Sequence, residues 1–132
     1  MSNSTKNEKS GDDKSGENLT NGLNGFKLAE EIARAKSQPS WSTGDRCATS
    51  LVKHRDFSVT LLLLRKGARL NEHSARGSIS VQVAAGAIRF NAGGRDETLT
   101  PGMLCVLRHE VPHAVEALEE SAVLLTAALP PQ

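Results

Sequence analysis

Short segments typical of β-strands, separated by turn residues, fill the chain beyond residue 45 and constrain its fold more than any other feature. Ile79 to Ala84 alternates Ile, Val and Val with Ser, Gln and Ala, the pattern of a strand with one buried face. No helical pattern interrupts the series, which predicts an all-β sandwich or small barrel rather than a parallel βαβ sheet. The predicted strands are residues 46–53, 56–64, 79–84, 87–91, 103–107, 113–118 and 122–129, with a hairpin at Gly93-Gly94.

Two segments of different composition precede these strands. Residues 1–25 are mostly Ser, Asn, Lys, Asp, Glu and Gly, which bury too little apolar surface to offset their ordering entropy, so we expect a disordered polar tail. Residues 26–40 are predicted to form a short amphipathic helix and linker, with Phe26, Ala29, Ile32 and Ala33 on one stripe and Pro39 ending the helix. A helix of about three turns is marginal alone. It is therefore expected to dock on the barrel domain, residues 41–130, or on a partner subunit.

Composition excludes several classes of partner. The formal net charge is +1 and aromatic residues make up 3% of the chain, so neither a basic surface nor a base-stacking platform for nucleic acid is expected. No apolar run approaches the roughly 18 residues of a membrane span, and the polar N-terminus lacks the apolar core of a secretory signal. Cys47 and Cys105 do not make a disulfide framework and are expected to be small buried hydrophobes. These features favour the cytoplasm.

The spacing of glycines and histidines points to a known family. Gly67, His73 and Gly86 match the first signature motif of the cupin superfamily, and Gly102 and His113 match the second. The stretch from Glu72 to Gly86 follows the local pattern E-H-S-A-x-G-x-I-S-V-Q-V-x-x-G of small cupin proteins. Residues 41–129 thus resemble a small single-domain cupin with degenerate metal-binding motifs. The resemblance implies a jelly-roll (double-stranded β-helix) barrel with a short N-terminal helix, and a homodimer formed through edge strands.

The sequence departs from the family at the metal-binding positions. Cupins usually hold Fe, Mn, Ni or Zn with three His and one Glu, and here Ala75 and Ile79 occupy the places of one His and the Glu. Only the positions of His73 and His113 are filled, and catalytic zinc sites typically use three protein ligands. The resemblance therefore implies at most a weakly bound divalent metal (Zn, Mn, Fe or Ni) at these two histidines.

Other residues are candidates for binding a small organic ligand. Period-2 alternation places Asn71 on the face of His73, while Arg76 and Arg89 carry guanidinium groups suited to a carboxylate ligand. Three functions follow, of which the first is favoured because no nucleophile elbow or paired carboxylates are present. The first is a non-catalytic small-molecule-binding or sensory and regulatory barrel, with a pocket around His73 and His113. The second is a metal-dependent enzyme, dioxygenase- or isomerase-like, with a reduced ligand set. The third is a structural dimeric module.

Overall fold

The computed structural model describes residues 22–129, so most of the predicted polar tail lies outside the described residues. Nine strands form two antiparallel sheets within these residues, and two short helices precede them. The elements are α1 (Leu28–Lys36), α2 (Pro39–Thr43), β1 (Arg46–Lys53), β2 (Phe57–Leu64), β3 (Arg69–His73), β4 (Ser78–Ala85), β5 (Ile88–Ala92), β6 (Arg95–Leu99), β7 (Leu104–Leu107), β8 (His113–Ala117) and β9 (Ser121–Ala128). The prediction of an all-β fold with a short N-terminal helix is confirmed.

The two sheets pack face to face as a jelly-roll barrel. The five-stranded sheet has the order β1-β2-β9-β4-β7, and the four-stranded sheet has the order β3-β8-β5-β6. Alternate residues of both sheets point between them, so apolar side chains from facing strands form the core. Its fully buried members include Leu64 and Val81 from one sheet and Ile88 and Leu99 from the other.

The helical region differs from its prediction in two ways. The face of α1 that packs on the sheet carries Leu28, Ile32 and Ala35, whereas Ala29 and Ala33 of the predicted stripe are exposed. The reason is that positions 28, 32 and 35 lie on one face of the helix and include the large apolar side chains of Leu28 and Ile32. Helix α1 ends at Lys36, before Pro39, and Pro39 begins a second helix, because proline suits the first position of a helix. No helix within residues 22–129 is long and apolar enough to cross a membrane.

The helices cover part of the outer face of the five-stranded sheet. Trp41 is buried there with Cys47 and Leu61, and the Arg65 guanidinium lies 4.1 Å from the centre of the Trp41 ring. Arg65 also donates a hydrogen bond of 2.8 Å to the Trp41 carbonyl, which ties the helical segment to the end of β2. Cys105, by contrast, is half-buried at the opposite edge of the sheet, and both cysteines are free thiols. The helix therefore docks on its own barrel. This is one of the two arrangements predicted from the sequence, the other being docking on a partner subunit.

One end of the barrel is closed by a tight turn between β4 and β5. Gly86 has φ +87°, and a Cβ built there would lie 2.3 Å from the Glu120 carbonyl oxygen. The buried Ser121 hydroxyl accepts a hydrogen bond of 3.1 Å from the Ala87 amide and lies 2.8 Å from the Glu119 carbonyl oxygen. Glycine is required at position 86 because no other residue combines this φ with so close a backbone neighbour. The region around Gly86, Ala87 and Ser121 is called the Ser121 end of the barrel.

Candidate functional site

His113 begins β8 at the opposite end of the barrel and is buried, with 5% of its surface exposed. Its Nδ1 atom lies 3.0 Å from the Val111 carbonyl oxygen. A carbonyl can only accept, so Nδ1 of His113 is the donor in this contact. The His113 ring also packs against Phe90, with 5.9 Å between ring centres. The imidazole is thus held in one orientation by a backbone carbonyl and an aromatic neighbour.

A β-bulge sets the position of His73 relative to His113. The register between β3 and β8 pairs Leu70 with Val115 and then His73 with His113, so one extra residue is accommodated between them. Without this bulge Glu72 would pair with His113, because antiparallel pairs advance one residue at a time. The bulge therefore brings the backbones of the two predicted histidines opposite one another.

A small cavity lies inside the barrel beside His113. Its volume is about 40 Å³, and among its lining residues, all of which belong to the described part of the chain, His113 alone is polar. The other lining residues are Leu62, Leu70, Ile79, Val81, Phe90, Val115, Val123 and Leu125. A water-sized group needs about 10–15 Å³ of such space, so the cavity accommodates roughly three to four heavy atoms. Ile79 and Val81, which belong to the predicted buried face of β4, are part of this apolar lining.

The structure does not bring the other predicted ligand-binding residues into this lining. Asn71 is exposed, because the bulge displaces it from the regular alternation on which its prediction rested. Arg76 is exposed in the segment between β3 and β4. Arg89 points away from the core and donates a hydrogen bond of 2.8 Å to Glu116 on the outer face of the four-stranded sheet. Its neighbour Phe90 points inward, since adjacent strand residues face opposite sides.

The residues around His113 do not fit the metal centre that the family implies. Ile79 stands in the cavity wall with 8% of its surface exposed, and Ala75 packs half-buried against the same core. Neither side chain offers a donor atom to a cation. Among the side chains that the structure describes, no group of three or more His, Cys, Asp or Glu is placed to hold a metal ion. The described side chains therefore provide fewer metal-binding groups than the three His and one Glu that are usual in the family.

Sequence reasoning missed the loop that closes over this end. Glu110 has φ +63°, the left-handed region that favours glycine, and no other described non-glycine residue has positive φ. Its amide donates a hydrogen bond of 2.7 Å to the Ala75 carbonyl, which fastens the β7–β8 loop beside the site. The signal was present in the sequence, because the family pattern has a glycine where this chain has Glu110.

Comparison with solved structures identifies the fold. A conserved protein of unknown function from Streptococcus pyogenes, SPY1581, superimposes with a TM-score of 0.63 and 25% identity, over 66% of this chain and 76% of that one. A cupin 2 conserved barrel domain protein from Leptotrichia buccalis gives 0.66 and 28%, over 80% of this chain and 47% of that one. An RmlC-like cupin from Shewanella frigidimarina gives 0.63 and 20%, over 67% and 80%. No protein-family model matches the chain, and no curated protein is significantly similar to it.

Proposed function

We propose that this chain, a small cupin domain, binds a small molecule in the cavity beside His113 and acts through binding rather than catalysis. The observation that carries the proposal is one oriented polar side chain in an otherwise apolar cavity wall. Binding sites are commonly built in this way, because apolar walls supply affinity and a few placed polar groups supply orientation. A sensory or regulatory role follows if ligand binding in the cavity changes which other molecules the domain contacts.

The size of the cavity restricts the ligand. With about 40 Å³ of space, it takes a short aliphatic group and excludes a drug-sized molecule, whose pockets measure about 300–1,000 Å³. His113 supplies the polar group of the cavity wall, and its Nδ1 atom donates to the Val111 carbonyl oxygen. The proposed ligand is therefore small and mostly apolar, with one polar group directed toward the imidazole.

The test uses two substitutions that should preserve the fold. Val115→Leu adds one methylene to the wall and should weaken binding by taking up part of the cavity, and His113→Phe should weaken binding by removing the polar atoms. Amide chemical shifts would be recorded while a set of small alcohols, amides and acids is titrated into the wild-type protein and both variants. Shifts clustered at Phe90, Val115 and Leu125 that need a higher ligand concentration in Val115→Leu support the proposal. Shifts unaffected by either substitution contradict it.

The alternative of a metal-dependent enzyme with a reduced ligand set rests on the register that pairs His73 with His113. It predicts stoichiometric Zn, Mn, Fe or Ni in protein purified without chelator, measured by elemental analysis. His113→Phe should then lose the metal, whereas Val115→Leu should keep it. Metal far below one ion per chain after incubation with each cation would contradict this alternative.

The homodimer also stays a prediction, and the edge strands support it. Three edge strands contain charged residues, which oppose pairing with another strand: β1 has Arg46, β3 has Arg69 and β6 has Arg95. The fourth, β7, has none, and its Leu104 and Val106 side chains are 58% and 71% exposed. Light scattering after size-exclusion chromatography should give twice the chain mass for the wild type and a monomer for Val106→Lys. A monomeric wild type would contradict the dimer and the structural-module alternative.

A further inference from the structure

The strand register places an ion pair on the inner face of the four-stranded sheet, at the edge beside the cavity. His113 pairs with Ala92, and Ala92 pairs with Arg95, so these three residues form one row across β8, β5 and β6. Directly opposite residues in an antiparallel sheet point to the same side. Ala92 packs against the core, so the row belongs to the inner face.

The next row confirms this assignment of faces. Val115 pairs with Phe90, and Phe90 pairs with Glu97. Val115 and Phe90 line the cavity, so Glu97 shares their side of the sheet. The Arg95 and Glu97 side chains meet at 2.6 Å. A guanidinium and a carboxylate therefore stand at the edge of the inner face, two strands from His113.

The row has room for a ligand between its two functional groups. Neighbouring strands lie about 4.8 Å apart, so the backbones of His113 and Arg95 are about 10 Å apart. Ala92, which stands between them, has only a methyl side chain and is half-buried. Phe90 and Val115, which lie one row further into the barrel, line the apolar cavity. The arrangement offers an apolar interior and a cation at the rim.

The ion pair is poorly suited to a purely structural role. The Arg95 and Glu97 side chains are 77% and 41% exposed, and exposed pairs contribute little to stability because water competes for both charges. Arg95 can therefore exchange Glu97 for another carboxylate at little cost. A guanidinium binds a carboxylate through two parallel hydrogen bonds, which gives both affinity and orientation.

We propose that the cavity binds a short aliphatic carboxylate, with its hydrocarbon chain among Phe90 and Val115 and its carboxylate between the His113 imidazole and Arg95. Glu97 holds Arg95 in place when the site is empty and competes with the ligand for it. This inference rests on the proposed binding function and adds the chemical class of the ligand. It assigns to Arg95 the carboxylate-binding role that the sequence suggested for Arg76 and Arg89.

The probe is sodium butyrate, whose three-carbon chain matches the cavity, and the uncharged butyramide is its analogue of the same shape. Both would be titrated into the 15N-labelled protein, with amide and arginine Nε–H shifts as the readout. Butyrate should bind about threefold more tightly than butyramide, because water competes for a charge pair as exposed as that of Arg95. Its shifts should cluster at Phe90, Ala92, Arg95 and Val115.

Three variants separate the charge on the inner face from charge elsewhere. Arg95→Gln should weaken butyrate binding about threefold and leave butyramide unchanged, since it removes the exposed charge pair. Glu97→Gln should strengthen butyrate binding, because it removes the competing carboxylate. Arg89→Gln is the matched control, since Arg89 is also paired with a carboxylate on the same sheet but on its outer face. It should change neither affinity.

The outcomes distinguish the inference from the function on which it rests. Equal affinities for butyrate and butyramide, or equal losses in Arg95→Gln and Arg89→Gln, would overturn the carboxylate inference. If butyramide still shifted the cavity residues, the binding function would remain supported. If neither probe caused shifts, the inference would fail, and the wider set of ligands titrated into wild type and Val115→Leu would decide the binding function separately.

Discussion

The two ends of the barrel each contain one buried polar side chain and use it differently. Ser121 and His113 are the buried polar residues of the described chain, with 3% and 5% of their surfaces exposed. The Ser121 hydroxyl joins the Ala87 backbone to its own turn, among side chains that are fully buried. His113 instead borders a cavity whose walls include the half-buried Leu70, Val115 and Leu125. The same strands thus provide a tightly packed end that stabilises the fold and a loosely packed end that can accept a ligand.

The largest predicted effect contrasts two leucines of the core. Leu99→Ala at the Ser121 end should lower the free energy of unfolding by about 3–5 kcal/mol, because it opens a void among fully buried side chains. Leu70→Ala beside the cavity should cost less, about 1–2 kcal/mol, since its half-buried side chain already borders empty space. Urea unfolding followed by circular dichroism measures both. Equal losses would mean that the two ends are packed alike.

Two glycines with similar backbone angles test how closely the Ser121 end is packed. Gly86→Ala should destabilise by about 2–4 kcal/mol, because a Cβ meets the Glu120 carbonyl in addition to the cost of positive φ. Gly102 also has positive φ, at +93°, but nothing lies within 4 Å of its added Cβ. Gly102→Ala should therefore cost only about 1–2 kcal/mol. The same loss in both variants would show that backbone strain alone, without the close contact, explains Gly86.

The two buried polar side chains themselves give a smaller contrast. Ser121→Ala should cost about 1–3 kcal/mol, because it leaves the buried Ala87 amide without its acceptor. His113→Phe should cost less than about 1 kcal/mol, since the ring still packs on Phe90 and the Val111 carbonyl lies in a half-buried loop. Thermal unfolding would rank the two variants. A larger loss for His113→Phe would assign the histidine a structural role and weaken the case for a binding site.

The sequence predicts the Ser121 end better than the His113 end for a physical reason. Alternating apolar residues and turn glycines such as Gly86 are local signals, and they located seven of the nine strands. The β-bulge before His73 has no local signal, since it arises from pairing between β3 and β8. It displaced Asn71 from the face predicted for it. The faces of Arg89 and Arg95 likewise follow from cross-strand register, which a single strand does not contain.

The smallest predicted effect concerns the loop at the His113 end, where a residue other than glycine adopts the left-handed conformation. Glu110→Gly relieves a strain of about 1–2 kcal/mol but adds about 0.5–1 kcal/mol of unfolded-state entropy. We therefore expect a gain in stability of no more than about 1.5 kcal/mol. Glu110→Ala keeps the Cβ and should leave stability nearly unchanged, while all three chains retain the amide bond to Ala75. Urea unfolding of the three proteins measures the difference. If Glu110→Gly were instead less stable than Glu110→Ala, the Glu110 backbone would not be strained, and the loop would belong to the rigid part of the barrel.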